Sequence, residues 1–164
     1  MNLFWNEATG YRATMVGFPY DDLDQWRAVY PPEIFIQQLD KVADGFDRAL
    51  AELGIAAAQA ARATPAERRA LTEECGVAEA AAIHFRSSAN QARFVLARRA
   101  AASQRVVLER VLKDEIALAR RLHGIQSRDS RIGFEASNQY FYVPVDLMEK
   151  VLNCRDLLAR NLPE

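Results

Sequence analysis

The sequence has little cysteine and little histidine: two of each, Cys75 and Cys154, His84 and His123. The cysteines stand far apart and form no CxxC, so no paired-cysteine metal site is expected and each reads as a small core residue. Neither histidine follows a glutamate by three or four positions, and no HExxH occurs, which removes the helical di-iron and zinc motifs. Charge of one sign is also lacking. With 21 basic against 22 acidic residues the net charge is −1, so no overall field favours nucleic acid or a membrane surface. No apolar run approaches the roughly twenty residues of a membrane span. The opening MNLFWNEATG has no basic stretch followed by an apolar one, as a signal peptide requires. The glycine patterns of a P-loop, a dinucleotide fold and a hydrolase nucleophile elbow are missing. These absences predict a reduced, cytoplasmic protein with no organic cofactor, and the 164 residues fit one domain, 1–164.

What is present is unevenly placed. Of the 15 aromatic residues, Phe4, Trp5, Tyr11, Phe18, Tyr20, Trp26 and Tyr30 fall in the first thirty positions, and Phe134, Tyr140, Phe141 and Tyr142 cluster late. Between them runs a stretch dominated by Ala, Arg, Leu and Glu, in which helical periodicity is the main signal. The expected architecture is all-α, a helical bundle of three to four main helices. An irregular aromatic-rich arm covers 1–30, with a short helix around Asp22–Val29. Long helices fill 31–123, a structured loop 124–143, and a C-terminal helix 144–162. The 18 arginines, against only Lys41, Lys113 and Lys150, alternate with acids and alanines and read as solvated helix faces.

Pro31-Pro32-Glu33 opens the first helix, with Phe35, Leu39, Val42, Phe46, Ala49, Leu50 and Leu53 as its apolar stripe and Gly54 as a stop or a tolerated break. Thr64-Pro65-Ala66-Glu67 is a capping box. From there Leu71, Cys75, Ala78, Ala82, Phe85, Ala89, Ala92 and Leu96 mark a buried face. No Gly or Pro occurs between Gly76 and Gly124. A single helix from 65 to 123 would be about 90 Å long. The reading favoured here is a turn near Ala101–Gln104 that folds it into two antiparallel helices. A single long helix that recruits a second copy is the alternative.

Candidate chemistry rests on few residues. Glu115 falls on the stripe of Leu108, Val111, Leu112, Leu118 and Leu122, where a carboxylate must be paired, protonated or bound to a metal. Helical bundles build metal sites from inward His and Glu on facing helices, so His84, His123 and Glu115 form the candidate metal set. The ordinary roles are an ion pair with an Arg for Glu115, a bond to a neighbouring helix for His84, and a favourable place at a helix C-terminus for His123. Glu135, in Arg131-Ile132-Gly133-Phe134-Glu135, is a second candidate general acid or base beside Glu115. Its ordinary role is to pair with Arg131.

The run Asp129-Ser130-Arg131-Ile132-Gly133-Phe134-Glu135-Ala136-Ser137-Asn138-Gln139-Tyr140-Phe141-Tyr142, followed by Asp146-Leu147-Met148-Glu149-Lys150-Val151-Leu152-Asn153-Cys154, resembles the C-terminal helical region of large bacterial proteins similar to glycoside hydrolases. His84-Phe85-Arg86-Ser87-Ser88-Ala89-Asn90 and Asp114-Glu115-Ile116-Ala117 resemble the same region. The chain departs from that pattern at Gln139, where relatives carry His. The resemblance implies a helical accessory domain without the catalytic barrel, and it transfers no catalytic residue. It also implies that the aromatic ends covered a neighbouring domain.

Three functions are therefore expected to compete. One is a metal-assisted hydrolase of activated esters or phosphoesters, in which Zn²⁺ or another divalent ion activates water. Another is a non-catalytic accessory or interaction domain, and the last is sugar binding on the aromatic ends. The expected partners are a small-molecule substrate or none, and a second copy of the chain, joined through the aromatic ends or the long helix.

Overall fold

The structure, a computed structural model, describes residues 1–14, 17–59, 63–133 and 142–161. The described residues are all-helical, with α1 (Pro32–Gln59), α2 (Pro65–Arg98), α3 (Ala101–Gln126), α4 (Pro144–Asn161), a short 3-10 helix at Leu23–Gln25 and no strand. No described helix is long and apolar enough to cross a membrane.

Local chemistry sets most boundaries. The box at the head of α2 forms as expected: Thr64 N–H donates to Glu67 Oε2 at 2.7 Å and Glu67 N–H donates to Thr64 Oγ1 at 3.3 Å. Gly54 does not stop α1, which runs through it to Gln59. The long-helix alternative gives way to a turn at Arg99–Ala100, with Gln104 out of helical geometry just beyond it. No side chain caps the N-terminus of α3. The reversal is held instead by burial of Leu108, Val111 and Leu112 against Phe94 and Ala97. That apolar surface would face water on a straight helix.

The helices pack in chain order, α1 on α2, α2 on α3 and α3 on α4. Helix α2 carries two apolar faces. One, with Ala89, Ala92 and Val95, meets Leu23 and Ile36 together with Trp26, Phe35 and Leu39. The other, with Ala80, Ile83, Phe94 and Ala97, meets α3 and α4. On α1 the inward positions are Ile36 and Ala43, with Phe35, Leu39, Phe46 and Leu50 partly covered. Val42, Ala49 and Leu53, expected in the stripe, are exposed. Residues 51–58 of α1 and 64–70 of α2 are exposed throughout and form the outer end of their hairpin.

The arm is more ordered than its irregular sequence suggests. It contains the 3-10 helix rather than a helix over 22–29, and α2 and α4 hold it as a strap. Arg98 donates to the carbonyls of Trp5 (2.6 Å), Glu7 (3.2 Å) and Asp21. Gln91 Nε2 donates to the Tyr20 carbonyl. Asn153 accepts from Phe4 N–H at 2.8 Å and donates to the Phe4 carbonyl at 3.0 Å. Phe4 enters the core and stacks on Phe94, with ring centroids 4.3 Å apart. Phe4→Ala should therefore cost about 3–5 kcal/mol and loosen the strap. Urea denaturation would show the loss as a lower midpoint, and an unchanged midpoint would mean that the strap is not part of the cooperative core.

Candidate functional site

The interior between α2, α3 and α4 is polar at one level. Glu115 and Lys150 are both fully buried, with Nζ 3.3 Å from Oε2. Helix α2 supplies the other partners of the carboxylate: Ser87 Oγ donates to Oε2 at 2.9 Å and Asn90 Nδ2 donates to Oε1 at 3.0 Å. Lys150 Nζ also donates to the Asn2 carbonyl at 2.6 Å and lies 3.2 Å from the centre of the Phe4 ring. Burial pushes the Lys150 ammonium below its ordinary value, and the Glu115 carboxylate opposes that shift. Burial likewise pushes the neighbouring Cys154 thiol up to about 12, which keeps it protonated and inert.

The pair is one end of a chain of polar contacts through all four helices. Asn90 Oδ1 accepts from Arg93, Arg93 pairs with Asp40 of α1, and Arg86 reaches Asp40, Asp44 (2.6 Å) and Asp47 (3.0 Å). An Arg was the expected partner of Glu115. The observed partner is a lysine, and the arginines of α2 pair with α1 instead.

Above the pair lies a cavity of about 430 Å³, bordered by α2 (His84, Ser87, Ser88, Gln91), the strap (Met1, Asn2, Tyr20) and the approach to α4 (Gly133, Tyr142). Ser87 joins the two levels, because it lines the cavity and bonds Glu115. His84 stands exposed at the rim with Nδ1 bonded to the Tyr142 hydroxyl. Desolvation of its ring and the nearby Met1 amino group lower the His84 pKa, and burial raises that of Tyr142, which keeps the phenol protonated at pH 7. Tyr142 holds a left-handed backbone (φ +62°), which costs about 1–3 kcal/mol in a residue with a side chain.

The structure does not gather the candidate metal set. His123 lies in the last turn of α3 and lines a separate α3/α4 groove with Leu147, Met148, Val151 and Leu152. His84 is at the cavity rim, and Glu115 is engaged below it. Among the described residues no three His, Cys, Asp or Glu side chains stand close enough to hold a metal ion. Glu135 lies outside the described residues, as does its proposed pairing. Arg131 itself bonds Asp129 at 2.6 Å and Glu73 at 3.2 Å.

Sequence reasoning missed Lys150, Ser87, Asn90 and Gln91. A signal for three of them was present: Lys150 sits on the stripe Leu147, Lys150, Cys154, Leu157, and Ser87 and Asn90 on Ile83, Ser87, Asn90, Phe94. A polar residue at a core position on each of three helices points to convergence. Comparison with protein-family models, curated proteins and solved structures finds no match for this chain.

Removing one member of a buried pair strands the other. Lys150→Met should cost about 3–5 kcal/mol, and adding Glu115→Gln should recover much of that loss, because the amide still accepts from Asn90. Equal midpoints for the single and double variants in urea would mean that Glu115 and Lys150 are not coupled.

Proposed function

We propose that this chain is a helical interaction module that self-associates through the aromatic face of its strap. One observation carries this reading. Trp5, Tyr11 and Phe18 are 48%, 46% and 57% exposed around one shallow pocket of about 210 Å³, on a backbone that Arg98 and Asp21 hold in place. Rigid, exposed aromatic side chains are the usual anchors of protein interfaces, since little side-chain entropy is lost when they are covered. A net charge of −1 offers little repulsion between copies. The likeness to helical regions of glycoside-hydrolase-like proteins supports the same view, because there too the aromatic ends would cover a neighbouring surface. Sedimentation velocity should show a concentration-dependent rise toward twice the monomer mass, abolished by Tyr11→Ser with Phe18→Ser. A wild-type protein that stays monomeric up to about 200 µM would overturn the proposal.

A hydrolytic reading has one contact in its favour: Ser87 Oγ, at the cavity wall, is bonded to the Glu115 carboxylate. In that reading Glu115 would act through Ser87, and a divalent ion such as Zn²⁺, for which His84 is the one ligand at the cavity among the described residues, would supply a Lewis acid. Turnover of 4-nitrophenyl acetate separates the two. A rate lost both in Ser87→Ala and with a chelator would establish metal-assisted hydrolysis, and a background rate unchanged in both would exclude it.

A further inference from the structure

The cavity has a chemistry of its own, distinct from the aromatic face. Its volume of about 430 Å³ lies in the range of ligand clefts, roughly 300–1,000 Å³. None of the lining side chains among the described residues carries a fixed charge at neutral pH. The Met1 amino group is held at about 6 by burial and by nearby Lys150, so it too is largely neutral. The ion pair beneath the cavity, Glu115 with Lys150, is neutralised within itself. A charged ligand would therefore lose its hydration without meeting a counter-charge, which is costly.

The lining is nonetheless rich in hydrogen-bonding groups. Tyr142 keeps its proton, and its hydroxyl bonds His84 Nδ1, which leaves Nε2 at the rim to meet a ligand as donor or acceptor according to the tautomer. Gln91 is 3% exposed and commits its amide N–H to the Tyr20 carbonyl. No donor among the described residues meets its side-chain carbonyl. The Ser87 and Ser88 hydroxyls give their protons to Glu115 and to the His84 carbonyl, and their oxygens remain acceptors. Tyr20 and Tyr142 add ring surface. A ligand whose groups each both donate and accept suits this mixed set, and a face of C–H bonds suits the rings.

We propose that this cavity binds a neutral polyhydroxyl ligand the size of a single sugar ring, with its hydroxyls bonded by His84 Nε2, Gln91, Ser87 and Ser88. Saturation-transfer NMR with D-glucose, D-galactose and myo-inositol, each at about 10 mM, should show transfer to at least one. Glucose 6-phosphate should bind at least about tenfold more weakly than the best neutral ligand. Ser88→Phe should fill the cavity and abolish transfer while leaving the circular-dichroism melt in place. His84→Ala, at the exposed rim, should weaken binding by at least about tenfold should the larger side chain disturb the fold. The double variant Tyr11→Ser, Phe18→Ser lies outside the cavity lining and should bind normally, so failure of self-association and failure of ligand binding are read separately. Absence of transfer from all three neutral ligands, tighter binding of the phosphorylated sugar, or undiminished binding in both cavity variants would overturn the proposal.

Discussion

The interior of this protein is organised around the contact between Lys150 and Glu115. Two groups that would each be costly to bury alone are buried together, and their remaining bonding capacity draws in Ser87 and Asn90 from α2 and the Asn2 carbonyl from the strap. A hydrophobic contact tolerates sliding by a residue or a turn. This one does not, because a slip of α3 against α2 or α4 would leave a charge unpaired.

Lys150 is also one of the donors that order the strap. An irregular segment with exposed aromatic side chains has little internal reason to hold one conformation, and ordering it costs roughly 1–2 kcal/mol per residue. It is held because α2 and α4 end or run beside it with donors that have few other acceptors: Lys150 on Asn2, Asn153 on Phe4, Gln91 on Tyr20 and Arg98 on three carbonyls. Phe4 then occupies the space between α2 and α4. The aromatic face and the cavity are two consequences of one arrangement, since the strap forms a wall of each, sharing Asn2 and Tyr20.

Much of the helical architecture was legible in the residues. The capping box at Thr64, the prolines at 32 and 144 and the apolar periodicities of α2, α3 and α4 placed those helices close to where they lie. Burial of Glu115 followed from its place among leucines and valines. Its partner did not follow, because an acid on a buried stripe specifies the need for a cation and not which helix provides it. Nor could sequence tell which of the apolar positions of α1 face α2. Val42 and Leu53 are as hydrophobic as Leu39, and they are exposed because α2 is the one described helix that α1 packs along extensively, and these positions face away from it.

Local residue patterns set where α1, α2 and α4 begin, that the helix faces are amphipathic, and that Glu115 needed a partner. These depend on the side chains of neighbouring turns, which local spacing records. Tertiary packing set the reversal at Arg99–Ala100, beside the turn expected near Ala101–Gln104, brought Lys150 to Glu115, and closed the strap over a cavity whose described lining bears no fixed charge. Each of these joins residues from separate elements, up to 149 positions apart in the case of Phe4 and Asn153, and depends on how far burial and pairing together outweigh the entropy of bringing them into contact.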